Sequence, residues 1–137
     1  MAYWLVKEEA SKYQFEQFLQ DGSTCWDLVR NYQARNNLRL MKKGDQVVFY
    51  HSGKLKTAMG TAEVTQEAYP DPSAKEGDWS AVDLAVREAY AEPVSLAKVR
   101  EDEVLQECAL VKQTRLSVMP LTAAQFRRFG KLGKGNA

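Results

Sequence analysis

Two short β-favouring runs separated by a single turn constrain the fold of this chain more than any other feature. Apolar and aromatic side chains occupy both faces of residues 46–51, and residues 59–65 form a second such run beyond a turn that contains Gly53. Short runs of this composition are typical of strands, and a short glycine-containing turn joins antiparallel neighbours. The sequence therefore predicts a β-hairpin here.

Further short strands and helices are predicted along the rest of the chain. The segments with such signals are residues 3–7 and 79–91 for strands, and residues 15–22, 29–41 and 122–129 for helices. Ser95 is expected to cap a short helix, and the acidic residues 101–103 are expected to open another. Residues 110–119 are interpreted as a strand or an extended loop. This mixture predicts an α+β fold.

Two pairs of residues have the spacing of a helix-capping box, Ser11 with Gln14 and Thr122 with Gln125. A chain of 137 residues has the size of one domain, and we expect residues 1–137 to form a single domain. The glycine- and lysine-rich residues 130–137 are expected to fray as a flexible tail.

Composition argues against several classes of protein. We expect neither a membrane span nor a secretory signal, because no apolar run is long enough and the first residues lack a basic region before an apolar core. Cys25 and Cys108 are then predicted to be reduced thiols in a cytoplasmic protein. One histidine and two distant cysteines do not form a zinc-binding pattern, so we expect no metal and no cofactor.

The net charge of +1 conceals a strong segregation of charge along the chain. Residues 26–57 carry seven basic and two acidic side chains, and residues 108–137 carry six basic and no acidic ones. Residues 58–107 carry twelve acidic side chains against four basic ones. If the two basic segments meet in the fold, they form a positive face suited to phosphates. Alternatively, the charges only solvate separate faces.

The segment from Trp26 to Tyr50 combines aromatic, amide and guanidinium side chains. It holds one tryptophan, two tyrosines, three asparagines, three arginines and a lysine pair. Aromatic rings stack on bases, amides read donor and acceptor edges, and guanidinium groups bind phosphates, so the mixture predicts a site for a nucleobase and its backbone. Each residue also has a structural interpretation: Trp26 as a core residue, and Asn31 and Asn36 as turn caps.

His51 invites an enzymatic interpretation, because it lies at a strand end beside Ser52 and Cys25 is also available. No acidic residue stands at a spacing that would orient His51, and no nucleophile-elbow, metal or phosphate-loop motif accompanies it. We therefore predict a non-enzymatic protein in which His51 donates or accepts a hydrogen bond at the rim of a pocket. A small enzyme using His51 remains the alternative.

The order of several short motifs resembles the EVE domain family, a branch of the PUA-like superfamily related to YTH domains. The motifs are Tyr3-Trp-Leu-Val-Lys7, Trp26-Asp-Leu-Val-Arg-Asn-Tyr-Gln-Ala-Arg-Asn36, Met41-Lys-Lys-Gly-Asp45, Phe49-Tyr-His-Ser52, Glu67-Ala-Tyr-Pro-Asp71 and Arg115-Leu-Ser-Val118. The chain departs from the family pattern in two places. Lys7-Glu-Glu-Ala10 replaces K-S-E-P, and Leu28 replaces a glycine and is expected to narrow the pocket floor.

The resemblance implies a PUA-like mixed β-barrel of five to six strands flanked by short helices. It also implies recognition of a modified base, most simply a methylated one of the 5-methylcytosine type in DNA or RNA. A methyl group adds apolar surface, which is worth about 1–3 kcal/mol of discrimination in an apolar pocket. The base must be single-stranded or flipped out of a duplex to enter.

The residue pattern and the resemblance together predict the members of the site. The predicted base pocket comprises Trp26, Val29, Asn31, Tyr32, Tyr50, His51, Ser52, Leu116 and Ser117. The predicted phosphate contacts are Lys7, Arg30, Arg35, Arg39 and Arg115. Trp26 is the expected stacking platform, and Asn31 and Ser117 are the expected hydrogen-bonding partners of the base edge.

Two other functional classes stay open at this point. The domain could act as an accessory to RNA processing or RNA modification, reading a modified nucleotide in RNA. It could also dock a protein partner through the acidic residues 63–107. Nucleic-acid binding that weakens steeply with salt would distinguish the first class from the second.

Overall fold

The computed structural model describes residues 1–134, which form an α+β domain. The strands are β1 (Tyr3–Glu9), β2 (Ser23–Trp26), β3 (Gln46–Ser52), β4 (Thr57–Pro70), β5 (Ser80–Ser95) and β6 (Val118–Leu121). The helices are α1 (Phe15–Asp21), α2 (Tyr32–Leu40), α3 (Leu96–Glu101), α4 (Ala109–Lys112) and α5 (Ala123–Gly133). A short 3-10 helix, Leu105–Glu107, lies between α3 and α4.

The six strands form one mixed sheet in the order β2-β5-β4-β3-β1-β6. The predicted hairpin is β3–β4, and β1 joins β3 in parallel and β6 antiparallel. The α+β class and the six strands are confirmed. The sheet is not closed into the predicted barrel, since β2 and β6 are its edges among the described residues. Helix α2 packs against β6, β4 and β5. A helix therefore occupies the side of the sheet where hydrogen bonds between strands would close a barrel.

Aromatic side chains make up the centre of the core between α1 and the sheet. Phe49 of β3 contacts Phe15 and Phe18 of α1, with ring centroids 5.1 Å and 5.6 Å away. Trp26, the last residue of β2, meets the same Phe49 ring edge-on at 5.5 Å. Strand β3, whose side chains are apolar or aromatic on both faces, is therefore the element around which the core is built.

The β4–β5 pair is long, and its register shifts at several points between Ala58 and Tyr69. Bulges of this kind increase strand twist and let a long ribbon curl over a core. Gly60 lies at one of them. A side chain there would collide with the carbonyl oxygen of Glu88 and with the Phe15 ring, so glycine permits the close approach of β5 and α1.

The predicted caps of α5 and α3 are present, and the predicted cap of α1 is not. Thr122 and Gln125 form the predicted capping box of α5, and Ser95 accepts a hydrogen bond from the Lys98 N–H at the start of α3. Ser11 does not cap α1. The N–H groups of Lys12 and Tyr13 bind the Glu9 carbonyl in a turn, so the helix begins later, at Phe15.

Several predicted elements have different boundaries from those expected. Helix α2 is shorter than residues 29–41, because Asn31 caps it. Asp102 ends α3 and caps the following 3-10 helix through its side chain instead of opening an α-helix. Residues 110–119 divide between α4, a turn and β6, and β2 had no sequence signal.

The first residues of the predicted frayed tail, residues 130–137, are helical. Helix α5 continues through Gly133, which is buried against Tyr90. Packing of the last turn onto β5 offsets the low helix propensity of its glycines. Residues 135–137 lie outside the described residues.

We expect Gly60→Ala to lower the free energy of unfolding by about 1–3 kcal/mol, because the added methyl group overpacks the contact between β4, β5 and α1. Gly130→Ala is the matched control, since a Cβ at Gly130 meets no atom within 4 Å. It should stabilise α5 by about 0.5–1 kcal/mol. Urea denaturation of both variants measures the difference, and equal effects would contradict the close approach at Gly60.

Candidate functional site

A cavity of about 370 Å³ is lined by residues from the end of β1, the turn that follows it and the end of β2. It is lined by Glu8, Lys12, Tyr13, Thr24, Cys25, Trp26, Asp27 and Leu28. Its volume falls in the lower part of the range of about 300–1,000 Å³ that small-molecule pockets occupy. We call it the β1–β2 cavity.

Two carboxyl groups, those of Glu8 and Asp27, line the β1–β2 cavity together with the Lys12 ammonium and the hydroxyls of Tyr13 and Thr24. Burial raises the pKa of the Glu8 carboxyl above its usual value. Burial also raises the pKa of the Asp27 carboxyl, and the nearby charge of Asp71 adds to this effect. Two carboxylates that lose hydration in this way are stabilised by a ligand that donates hydrogen bonds or carries positive charge. They disfavour a phosphate inside the cavity.

Trp26 forms part of the cavity wall, but only 5% of its surface is exposed. It packs on Phe49 within the core. A full stacking platform for a base needs an open aromatic face. Trp26 is buried, so it has a structural function in the core even if it also contacts a ligand. Truncating it would damage the core, so a truncation of Trp26 cannot separate the two functions.

His51 lies behind the cavity instead of at its rim and is only 2% exposed. Its Nε2 accepts the N–H of Phe15 at 3.1 Å, which leaves the proton on Nδ1 to be donated to the Glu8 carbonyl at 3.0 Å. Both ring nitrogens are therefore occupied by backbone groups. His51 fixes the end of β1 and the start of α1, and its imidazole is not available to a substrate.

Cys25, the other residue available for catalysis, is a weak candidate for a nucleophile. Burial raises the pKa of its thiol. The thiol lies 3.0 Å from the hydroxyl of Tyr69, which donates a hydrogen bond to Asp83. Cys25 and Cys108 are both free thiols, as predicted.

Leu28 occupies an unusual position at the mouth of the cavity. Its φ of 63° is in the left-handed region that glycine tolerates and leucine disfavours. Its side chain is 62% exposed, although it is apolar and lines the cavity. The Leu28 N–H is held by a 2.9 Å hydrogen bond to Asp71. The glycine expected at this position is thus replaced by a strained, protruding leucine instead of by a residue that closes the floor.

Asp71 ties the Leu28 loop to the segment that follows β4. Its side chain is fully buried, and it accepts hydrogen bonds from Leu28, from Arg30 at 2.9 Å and from Ser73. Burial alone would raise the pKa of Asp71, but the hydrogen bonds from Ser73, Arg30 and the Leu28 N–H hold it at about 2. The carboxylate stays charged, and it fixes the loop that carries Leu28.

An exposed aromatic–arginine cluster adjoins this loop. Tyr32 stacks on Trp79 with ring centroids 5.2 Å apart, and Arg30 and Arg35 lie over the Trp79 ring. Arg35 also covers Tyr32. Trp79 was missed as a site residue because its sequence neighbours are acidic. Its position after the loop that follows Glu67-Ala-Tyr-Pro-Asp71, a motif of the family resemblance, was the signal that could have found it.

Most of the predicted phosphate contacts already have partners in the protein. Arg39 pairs with Asp78 at 2.6 Å and bonds Ser80, and Arg35 donates to the backbone carbonyl of Asp78. The Lys7 ammonium donates to the Thr114 carbonyl, and burial lowers its pKa. Arg115 is exposed and has no hydrogen bond or ion pair within residues 1–134.

The other predicted pocket residues are divided among separate places. Asn31 caps α2 through its side-chain oxygen, the turn function that was its structural interpretation. Val29 and Tyr50 are buried in the core, and burial raises the pKa of Tyr50 to about 12. Ser52 lines a different cavity beside the turn that joins β3 and β4.

A third group of predicted residues meets beside the N-terminus of α2. Asn31, Arg115 and Leu116 line a cavity of about 340 Å³ between α2 and residues 112–116. The carbonyl oxygen of Ser117 accepts the Lys7 N–H. We call this the α2 cavity; the predicted pocket residues are therefore spread over three separate cavities and the core.

The two basic segments contact each other through α2 and β6, but Arg35 and Arg115, which were expected to share one positive face, lie on different flanks of α2. Asn37 of α2 donates to the carbonyl oxygen of Val118, and α2 contacts β6. Arg115 lies on one flank of α2, whereas Arg35 and Arg39 face Asp78 on the other. The acidic segment therefore neutralises part of the positive face.

Two structural findings bear on metal and membrane binding. Within residues 1–134, no three His, Cys, Asp or Glu side chains are grouped so that they could hold a metal ion. The helices of the same residues are too short or too polar to cross a bilayer.

The six-stranded mixed sheet and the short helices around it define a small α+β domain. The model of the EVE domain matches residues 2–132, and the chain belongs to the EVE domain family.

Several known proteins resemble this chain over most of their length. Human thymocyte nuclear protein 1 is 33% identical over 91% of this chain and 71% of that protein. A structure of the human protein in complex with 5-methylcytosine-containing DNA has a TM-score of 0.90 at 32% identity, covering 100% of both chains. The crystal structure of Atu2648 from Agrobacterium tumefaciens has a TM-score of 0.93 at 38% identity, covering 97% of this chain and 93% of that one. A YTH domain from Zygosaccharomyces rouxii, 12% identical with a TM-score of 0.59, shares the fold.

Replacing Asp71 with asparagine should remove the stabilisation that its low pKa provides. An aspartate ordinarily titrates near pH 4, so this contribution is complete above about pH 4 and is lost as the pH falls towards 2. We expect Asp71→Asn to cost roughly 2 kcal/mol at pH 7 and to flatten the acid limb of the stability curve. Asp78→Asn, at an exposed ion pair, should cost less than about 1 kcal/mol. Urea unfolding between pH 2 and pH 7 measures both, and equal curves would contradict the central position of Asp71.

Proposed function

We propose that this protein binds nucleic acid that carries a modified base, and that the base enters the β1–β2 cavity. The observation that carries the proposal is a nucleobase-sized cavity that combines Tyr13, Trp26 and Leu28 with two partly buried carboxylates, in a domain of the same family as a human protein solved with 5-methylcytosine-containing DNA. DNA containing 5-methylcytosine is the ligand proposed here. A methylated RNA is the second candidate, because no residue of the cavity distinguishes a deoxyribose from a ribose.

The carboxylates favour a base that carries an exocyclic amine. Glu8 and Asp27 can accept hydrogen bonds from such an amine, as carboxylates do from N4 of cytosine. Thymine has the same 5-methyl group as 5-methylcytosine but a carbonyl oxygen in place of the amine. Tyr13, Trp26 and Leu28 supply the apolar surface against which a methyl group can pack. The cavity is therefore expected to need both the methyl group and the amine.

The surroundings of the cavity suit a nucleic-acid backbone better than a free nucleoside. The exposed Tyr32 stacks on the half-buried Trp79 beside the Leu28 loop, with Arg30 and Arg35 over the rings. Exposed aromatic groups with arginines can stack on neighbouring bases and neutralise phosphates. Arg115 offers a further guanidinium with no carboxylate partner among the described residues.

Binding without catalysis is the form of the proposal that the contacts support. His51 uses both nitrogens for backbone groups, and the Cys25 thiol has a raised pKa. Protein docking through residues 63–107 is less favoured, because Glu63, Asp71, Asp78 and Asp102 pair with arginines of this chain. The cytoplasmic location stays a prediction from the sequence.

The first test compares three short single strands that differ at one central base: 5-methylcytosine, cytosine or thymine. We expect the 5-methylcytosine strand to bind several-fold more tightly than the cytosine strand, in line with about 1–3 kcal/mol for a methyl group in an apolar pocket. It should also bind more tightly than the thymine strand. Fluorescence anisotropy at one fixed salt concentration measures all three.

The double variant Glu8→Gln, Asp27→Asn should lose about tenfold or more of the preference for 5-methylcytosine over thymine, because a neutral amide accepts less strongly from the amine. Glu16→Gln is the matched control, since Glu16 is exposed on α1 outside the cavity. An unchanged preference in the double variant would place the base elsewhere, and equal binding of all three strands would refute modified-base recognition.

A second test separates backbone contacts from base recognition. Arg115→Ala and Arg35→Ala should each weaken binding to all sequences alike and lower the slope of log K against log salt by about one unit for a lost phosphate contact. Arg127→Ala on α5 is the control, and its slope should match that of the wild type. A changed base preference with an unchanged slope would instead make these arginines base readers.

A further inference from the structure

Leu28 combines two properties that a structural residue at its position would avoid. Its backbone has a φ of 63°, where glycine would be free of strain, and its apolar side chain is 62% exposed. A strained backbone conformation that the surroundings hold in place is most common at functional sites. Here Asp71 holds it, through a hydrogen bond to the Leu28 N–H and an ion pair to Arg30.

The direction in which Leu28 projects is set by its neighbours on both sides. Asp27 lines the β1–β2 cavity, and Val29 is only 6% exposed and anchors the chain in the core. Leu28 therefore stands at the mouth of the cavity, in contact with its interior and with solvent. A side chain in that place lies next to the gap that a base leaves when it swings out of a duplex into the cavity.

We propose that Leu28 is a wedge that enters the base stack of double-stranded DNA and fills the gap left by the flipped base. Apolar side chains such as leucine are used in this way by proteins that unstack a duplex. The base must leave the stack to reach the cavity, and this unstacking costs free energy. Contacts between the wedge and the neighbouring bases offset part of that cost. This inference rests on the proposed function and adds that the target is a duplex.

The exposed cluster next to Leu28 is consistent with a duplex lying across this surface. The Tyr32–Trp79 stack and Arg30 share the Asp71-anchored loop region with Leu28. Arginines beside a wedge can contact the phosphates on either side of the kinked step. The wedge thus belongs to a surface whose other side chains bind backbone and bases.

The experiment compares duplex and single-strand binding in the same variants. Leu28→Ala and Leu28→Gly both remove the wedge, and the glycine variant also relieves the backbone strain, so it keeps the fold. Leu40→Ala is the matched control, because Leu40 is also 62% exposed and lies at the end of α2. The probes are a 20-base-pair duplex with one central 5-methylcytosine and the corresponding single strand. A 2-aminopurine on the 3′ side of the modified base reports unstacking.

For both Leu28 variants we expect affinity for the duplex to fall by about tenfold or more, while affinity for the single strand stays within about twofold of wild type. The 2-aminopurine fluorescence gained when the wild type binds the duplex should fall in parallel. Leu40→Ala should change neither quantity.

Three outcomes would overturn the wedge. Equal losses for duplex and single strand would make Leu28 a wall of the base pocket. A wild type that binds the single strand but not the duplex would show that no stack needs to be opened, and the proposed function would stand. Unchanged duplex affinity in both Leu28 variants would also contradict the proposal that Leu28 is a wedge. A wild type that binds neither methylated probe better than its unmodified counterpart would refute the proposed function itself.

Discussion

The functional region depends on one buried carboxylate. Asp71 receives the Leu28 N–H, the Arg30 guanidinium and the Ser73 hydroxyl and N–H, and it holds together two loops that are more than forty residues apart in the chain. A buried charge needs several donors to offset the loss of hydration, and here the donors are also the groups that must be positioned. The same interaction therefore compensates the charge and shapes the mouth of the cavity.

Charge pairing also explains why a strongly basic segment produces only a moderate positive face. The loop that follows β4 brings Asp71 and Asp78 against Arg30 and Arg39. Asp78 is largely exposed, so its ion pair with Arg39 contributes little stability and can be exchanged for a phosphate. The buried Asp71 pair cannot be exchanged in this way. The arginines of the segment thus divide into a fixed one and ones available to a ligand.

Much of the fold could be predicted from local signals. Strands β1, β3, β4 and β5 followed from β-favouring runs, and the caps at Ser95 and Thr122 followed from the spacing of polar residues. The short edge strand β2 could not be predicted, because its four residues have no alternating pattern and depend on pairing with β5. An open sheet in place of a barrel also depends on distant contacts, those of α2.

The site was harder to predict because sequence gives residue types but not the direction of side chains. The sequence predicts pocket functions for Trp26, Tyr50 and His51 because the chemistry of these side chains suits a pocket. All three side chains are buried in the structure instead. The side chain of Asn31 accepts a hydrogen bond from a free N–H group at the start of α2. This capping function competes with hydrogen bonding to a ligand. Trp79 and Asp71 belong to the site through contacts with residues more than forty positions away, and the sequence alone does not show which residues those are.

The position of β1 within the sheet has a consequence for how the chain is made. β1 pairs with β3 on one side and with β6 on the other, so one edge of β1 lacks a partner until residues 118–121 have been synthesised. An unpaired strand edge is a template for association with other chains. Completion of the sheet also requires contacts between distant parts of the sequence, which slows folding. The nascent polypeptide is therefore expected to depend on protection of that edge, by a chaperone or by rapid translation, until its sixth strand is available.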